Sequence, residues 1–175
     1  LHFAPDPSSQ TASTIGGNVA ENSGGPHTLK YGVTTNHVLG FTMVMPNGNI
    51  EKFGSKHRYS TELDLVGFIT GSEGTLGIVT EIIVNLVTNP QTTRTFLLTF
   101  DSVSNATDCV SAIIKGGIVP SALEMIDNLC IQAVEGKLKA GFPLDAAAIL
   151  LVELDGDAST TKWETEQLKT ITNQF

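Results

Sequence analysis

Histidine disappears from this 175-residue sequence after position 57, which strips the later part of the commonest metal ligand and general base. The four histidines present, His2, His27, His37 and His57, stand at spacings that match no zinc finger or metal-binding helix. Cysteine is as scarce. Cys109 and Cys130 lie too far apart for a C-x-x-C redox pair and have no histidine cluster near them. Both read as small apolar residues on helix faces, in a reducing compartment, rather than as a disulfide. No apolar run approaches the roughly 18 residues of a membrane span, and no signal peptide is visible; a cytoplasmic location is the expectation. Positive charge is short as well, with 10 Lys and Arg against 18 Asp and Glu. A net charge of −8 makes nucleic acid and anionic membrane poor partners. There is no G-x-S-x-G elbow, no G-x-G-x-x-G and no P-loop lysine, which argues against a serine hydrolase, a Rossmann site and a Walker site.

Glycine, by contrast, is plentiful and clustered. Ser13-Thr14-Ile15-Gly16-Gly17-Asn18 and the block from Gly71-Ser72-Glu73-Gly74-Thr75-Leu76-Gly77 to Ile78-Val79-Thr80 stand about fifty residues apart, the first followed closely by Asn22, Gly24 and Gly25. Isolated glycine pairs mark tight turns. Two glycine-rich loops together let main-chain N–H groups approach an anion closely, so a nucleotide cofactor is the leading hypothesis.

Pro5-Asp6-Pro7-Ser8-Ser9, Thr14-Ile15-Gly16-Gly17-Asn18-Val19-Ala20-Glu21-Asn22-Ser23-Gly24-Gly25, Leu29-Lys30-Tyr31-Gly32-Val33-Thr34 and the block from Gly71 to Thr80 closely resemble the FAD-linked oxidases of the vanillyl-alcohol oxidase superfamily. The likeness spans essentially the whole chain and is nearest to the 2-hydroxy-acid enzymes of the glycolate oxidase flavin subunit and D-lactate dehydrogenase kind. It implies an α+β fold: the second subdomain of a PCMH-type FAD-binding domain over residues 1–88, then the first part of a ferredoxin-like cap domain over 89–175. It also implies that the residues matching Pro5, Asp6, Ser13, Thr14, Gly16, Gly17, Glu21, Asn22, Ser23, Gly24, Glu73, Gly74, Gly77, Ile78 and Val79 line FAD. Glu73 is the odd member, since a carboxylate repels pyrophosphate; it either touches the cofactor or braces its loop. His27 reads as a surface histidine, with approach to the flavin as the alternative, and His57 between Lys56 and Arg58 as a solvated tip.

The resemblance implies oxidation of a small 2-hydroxy acid by hydride transfer to flavin, with an electron acceptor or other oxidase subunits as partners. Oxidation of a sugar lactone or aromatic alcohol on the same scaffold, or a non-catalytic assembly piece, are the alternatives. In such enzymes a pyrophosphate loop comes before the part matched by this chain and a histidine-bearing metal motif comes after it. The chain is therefore expected to be a middle piece that depends on the rest of its parent, and inactive alone.

Periodicity supplies the element order. Residues 38–45 and 50–53 flank Pro46-Asn47-Gly48-Asn49 and read as a hairpin. Residues 62–70 carry Leu63, Val66 and Ile69 at helical spacing before Gly71, and 78–87 read as a buried strand, apolar on both faces. After Asn89-Pro90 come a strand at 94–100, a helix at 102–115 ending at Gly116-Gly117, a strand at 121–126, a helix at 128–139 capped by Asp127, a strand at 147–154 and a helix at 159–172. Three such strands are a ferredoxin-like split βαβ sheet short of its fourth. The open edge points to a homodimer, strand exchange or aggregation. Glu153, Asp155 and Asp157 read as an acidic turn rather than a cation site. Glu124 either faces substrate or simply points outwards.

Overall fold

The computed structural model describes residues 1–57 and 63–175, as two compact units, Leu1–Asn89 and Pro90–Phe175. Each has its own three-stranded antiparallel sheet, so the architecture is α+β.

The first unit opens with an irregular segment whose His2 pairs with Val87 as an isolated bridge. Where a glycine loop was expected, α1 (Ile15–Glu21) forms instead. Two glycines in a helix cost about 1 kcal/mol each against alanine; two features offset that. Thr14 caps the helix, its Oγ1 accepting from the Gly17 N–H at 3.1 Å, and Val19 is fully buried with Ile69, Phe41 and Met43 in the core. The helix stops at Asn22, which adopts the left-handed conformation. A short α2 (Thr28–Tyr31) and a 3-10 turn at Thr34–Asn36 lead into β1 (Val38–Val44) and β2 (Ile50–Gly54). These form the expected hairpin, with Gly48 at positive φ and the Asn47 Oδ1 accepting from the Asn49 N–H.

The helix expected over 62–70 is shorter: α3 runs Leu65–Ile69, capped by Asp64, whose carboxylate accepts from the Gly67 N–H. Glu62 lies outside the described residues. Of its apolar stripe, Ile69 is buried while Leu63 is 84% exposed. β3 (Ile78–Val84) is not the buried strand its composition predicts, nor does it extend to residue 87. Among the described residues it is an outer strand bonded to β1 alone, and Ile78 is 62% exposed. Strand order, set by the hairpin taking the other side of β1, decided this.

The second unit follows the periodicity closely: β4 (Thr92–Phe100), α4 (Val103–Lys115), β5 (Ala122–Asp127), α5 (Asn128–Leu138), β6 (Ala148–Gly156) and α6 (Ala158–Thr172). β6 inserts between β4 and β5, antiparallel to both, which is the split βαβ arrangement. Its central place explains its nearly unbroken apolar run. Leu150, Val152 and Leu154 are buried with Ala106, Cys109 and Ile113 of α4 and Leu168 of α6, while Ile149 on the opposite face packs with Ile131 of α5. Cys109 is buried as expected. Cys130 is not: it is exposed in the first turn of α5, where its N–H donates to the capping Asp127 carboxylate. Neither cysteine is in a disulfide.

The acidic turn is a helix start. The Asp157 carboxylate accepts from the hydroxyls of Ser159 and Thr160 and from their amides, and these bonds hold its pKa far below the usual carboxylate range. A depressed folded pKa contributes stability above the unfolded value of 3.8, and that contribution is lost as pH falls below it. Asp157→Ala is therefore expected to lower the melting temperature fully at neutral pH, with the deficit against the parent shrinking in acid below that value. A deficit independent of pH would show that the cap acts through something other than its charge.

Candidate functional site

The two glycine-rich stretches meet. α1, the end of α3, the loop at 71–77 and the start of β3 enclose a cleft of about 220 Å³ within the first unit. α1 contributes Gly16, Gly17, Val19 and Ala20; Ile69 forms one end; the loop contributes Ser72, Gly74 and Gly77, and β3 Ile78 and Val79. Sites that enclose a drug-sized ligand run to roughly 300–1,000 Å³, so this cleft suits one part of a dinucleotide. Among the described residues, no charged side chain lines it. Apart from Ser72, the lining is glycine and small or branched apolar residues.

The loop is hung from the end of α1. The Gly71 N–H donates to the Val19 carbonyl at 2.8 Å, which also takes the Asn22 N–H at 3.4 Å, and the Glu73 N–H donates to the Ala20 carbonyl at 2.9 Å, so the loop amides complete the carbonyls of the helix terminus. Within the loop, the Thr75 hydroxyl donates to the Ser72 carbonyl at 2.6 Å. Gly71, Glu73, Gly74 and Gly77 all have positive φ. Glu73 thus braces the loop through its backbone amide, while its side chain is exposed and outside the cleft.

The glycines divide by what a side chain would meet. A Cβ on Gly77 would stand 2.6 Å from the Val44 carbonyl oxygen and 2.9 Å from the Met43 Cε, so the sheet itself requires glycine there. A Cβ on Gly16 or Gly17 would meet nothing nearer than the Thr14 Oγ1, at 3.8 and 3.5 Å, and neither residue has positive φ. Fold and backbone both tolerate a side chain at these two positions. They leave bare backbone facing an apolar cleft, as close contact with a flat cofactor would require.

Of the residues expected to line a cofactor, the structure gathers Gly16, Gly17, Gly74, Gly77, Ile78 and Val79 at the cleft. Thr14 stands behind it as the cap. Ser13 holds the preceding turn through its N–H to Ser9, and Glu21 is exposed at the far end of α1. Pro5 is buried, and the Asp6 carboxylate lies 3.7 Å from His27 Nδ1. His27 is also edge-on to Tyr31, a half-buried structural histidine. Asn22, Ser23 and Gly24 sit outside the cleft: Asn22 Oδ1 accepts from Thr35, the Ser23 carbonyl accepts from Thr34, and a Cβ on Gly24 would crowd the Thr28 Oγ1 at 2.7 Å. Val19, Ala20, Ile69 and Ser72 line the cleft without having been singled out. The signal for Val19 and Ala20 was one helical turn from the glycine pair, visible only once that stretch is helical.

In the second unit Glu124 is exposed on β5, Glu153 accepts from the Ser121 hydroxyl and Asp157 caps α6. Among the described residues no group of three or more His, Cys, Asp or Glu is placed to hold a metal, and no helix is long and apolar enough to cross a membrane.

Residues 1–54 match the FAD binding domain family and residues 89–175 the C-terminal domain of FAD linked oxidases. The chain is 48% identical to the glycolate oxidase subunit GlcD of Escherichia coli (strain K12) over 98% of its own length and 34% of that protein's. It is 44% identical to the GlcD of Bacillus subtilis (strain 168), over 98% and 37%, and 32% identical to the D-lactate dehydrogenase of Anaerostipes hadrus, over 99% and 37%. It thus spans about a third of the length of these curated relatives. Its fold is that of alkyldihydroxyacetonephosphate synthase, with a TM-score of 0.81 at 22% identity over 98% of this chain and 34% of that one. The chain belongs to the FAD-linked oxidases, and FAD is its cofactor.

Proposed function

We propose that the first unit is the second subdomain of a PCMH-type FAD-binding domain, that its cleft holds part of FAD, and that the second unit is the beginning of the cap domain over the substrate. The observation that carries this is the pair Gly16 and Gly17, bare where neither backbone nor packing asks for glycine, facing an apolar cleft closed by the second glycine block. Thr14 takes the Gly17 amide, and the bare Gly16 and Gly17 backbone at the cleft suits close approach of the cofactor. Val19, Ala20, Ile69, Ile78 and Val79 exclude water from a ring lying against them. Ile78 and Val79 begin β3, whose edge away from β1 suits directional hydrogen bonds to the cofactor. Flavin, when bound, supplies the redox chemistry by accepting hydride; the residues of this chain bind and orient it.

The substrate is a small 2-hydroxy acid of the glycolate or D-lactate type, supported by the names of the relatives. Electrons pass on to an acceptor or a further oxidase subunit. The test has two arms. The full-length FAD-loaded protein is expected to lose its flavin colour on adding glycolate or D-lactate; bleaching by a sugar lactone or an aromatic alcohol instead overturns the substrate reading. The 175-residue chain alone, given FAD and an artificial electron acceptor, is expected to turn over neither hydroxy acid. Turnover by the chain alone contradicts the proposal that this segment supplies only part of the site.

A further inference from the structure

Asn47-Gly48 is the only Asn-Gly dipeptide among the ten asparagines of the chain, and it sits at the tip of the β1–β2 hairpin, where both residues are exposed. An asparagine followed by glycine is open to attack by its own backbone, because no Cβ shields the nitrogen that follows. Here that space is empty: a Cβ on Gly48 would meet nothing within 4 Å. The Asn47 side chain is turned toward the same peptide. Its Oδ1 accepts from the Asn49 N–H at 2.9 Å, an Asx turn that folds the side-chain carbonyl back along Gly48, and the donated proton draws electron density from Cγ. The Gly48 N–H donates to the Met45 carbonyl at 2.8 Å. That bond closes an exposed turn, at the low-stability end of local opening.

The other asparagines lack this combination. Asn89 precedes proline, which has no N–H. Asn18, Asn105 and Asn128 lie within helices, each followed by a residue with a Cβ. Asn22, followed by the small Ser23, is the nearest rival in sequence, but it is half-buried and tied down. Its Oδ1 accepts from the Thr35 N–H at 2.9 Å and the Thr35 hydroxyl at 2.8 Å, and the Ser23 N–H donates to the Asn18 carbonyl at 3.0 Å.

We infer that Asn47 is a site of spontaneous deamidation, at which the hairpin turn offers the side-chain amide to the backbone nitrogen of Gly48. That nitrogen gives up its proton to solvent and bonds to the Asn47 Cγ. The Cγ–Nδ2 bond breaks and ammonia leaves, taking a proton from solvent in return, and a five-membered succinimide closes. Water then opens the ring at either carbonyl, giving aspartate or isoaspartate. Aspartate keeps the acceptor for the Asn49 N–H and adds one negative charge. Isoaspartate routes the main chain through Cβ, so the turn no longer has the length that sets the Val44–Ile50 register.

The experiment holds the full-length protein and its Gly48→Asp variant in warm, mildly alkaline buffer. Peptide mapping by mass spectrometry then follows each asparagine, with chromatography that separates aspartate from isoaspartate. Asn47 is expected to convert at least about tenfold faster than any other asparagine, a barrier lower by about 1.4 kcal/mol or more, and to yield both products. Gly48 has φ 83, which aspartate tolerates better than most residues. Gly48→Asp therefore keeps the turn while placing a side chain beside the attacking nitrogen. Conversion at Asn47 should fall by about the same tenfold, with the melting temperature close to the parent. Conversion at Asn22 or any other asparagine as fast as at Asn47 overturns the inference. Aspartate as sole product also overturns it, because that outcome belongs to direct attack by water on the side chain. Undiminished conversion in Gly48→Asp does the same, since the nitrogen beside the open space is then not the nucleophile.

Discussion

Gly17→Val is expected to expel FAD without unfolding the protein. Gly17 lies in the first turn of α1 with an ordinary helical backbone, and its added Cβ would meet only the Thr14 Oγ1 at 3.5 Å, a normal van der Waals contact. Glycine is worse in a helix than most residues by a few tenths to about 1 kcal/mol, so valine leaves α1 as stable as before or slightly more so. The same side chain projects into a cleft of about 220 Å³. Crowding a fitted space by a few methyl groups costs about 1–3 kcal/mol when the neighbours yield, which weakens the dissociation constant from about fivefold to more than a hundredfold. Flavin absorbance relative to protein, measured on purified full-length protein, checks the loss; thermal unfolding of the apoprotein checks that the fold survived. A full complement of flavin in the variant places the cofactor elsewhere.

Gly25→Ala is expected to do the reverse and damage the fold first. A Cβ on Gly25 would overlap the carbonyl oxygen of Asp6 and stand 3.0 Å from the Pro7 nitrogen. These are backbone atoms, which cannot rotate aside. Either the segment carrying the buried Ala4, Pro5 and Pro7 lifts away or the Gly25–Thr28 turn, held by the Gly25 N–H to the Thr28 Oγ1 at 2.9 Å, is displaced. Both uncover apolar surface, and overpacking against rigid neighbours costs about 3 kcal/mol or more. For a unit of this size that is a fall in melting temperature of more than about 10 °C. Hydrogen exchange at His2 and Val87, whose amides bond across the bridge between the N-terminal segment and the end of the unit, should accelerate in step. A variant that melts with its parent and protects those amides would show that Asp6 and Gly25 are not in contact. Any flavin lost here is lost with structure, unlike in Gly17→Val.

The two glycines look alike in the sequence: each belongs to a glycine pair within the first 25 residues. Only what lies beside the missing side chain separates them. Next to Gly25 is the backbone of a segment almost twenty residues earlier; next to Gly17 is open cleft. The pair Gly16-Gly17 also misdirects the local reading, because glycine signals a loop while Thr14 signals a cap, and burial of Val19 against residues far along the chain settled the contest for the helix.

Where the deciding interactions are local, the sequence was sufficient. Pro46-Asn47-Gly48-Asn49 specifies a tight turn through φ preference and a side-chain bond two residues away, and Asp127 announces a helix start by bonding an amide three residues on. Apolar spacing of 3.6 or 2 residues did the rest for α4, β6 and α6, and the glycine blocks pointed to a bound nucleotide. Tertiary structure alone decided that β3 is an outer strand, that Cys130 faces solvent, that Asn22, Ser23 and Gly24 tie α1 to its neighbours instead of lining the cleft, and that Val19, Ala20, Ile69 and Ser72 do line it. The physical reason is range: a cap or a turn is complete within four residues, whereas strand order and the walls of a cleft are made by groups fifty residues apart, whose proximity no local preference encodes.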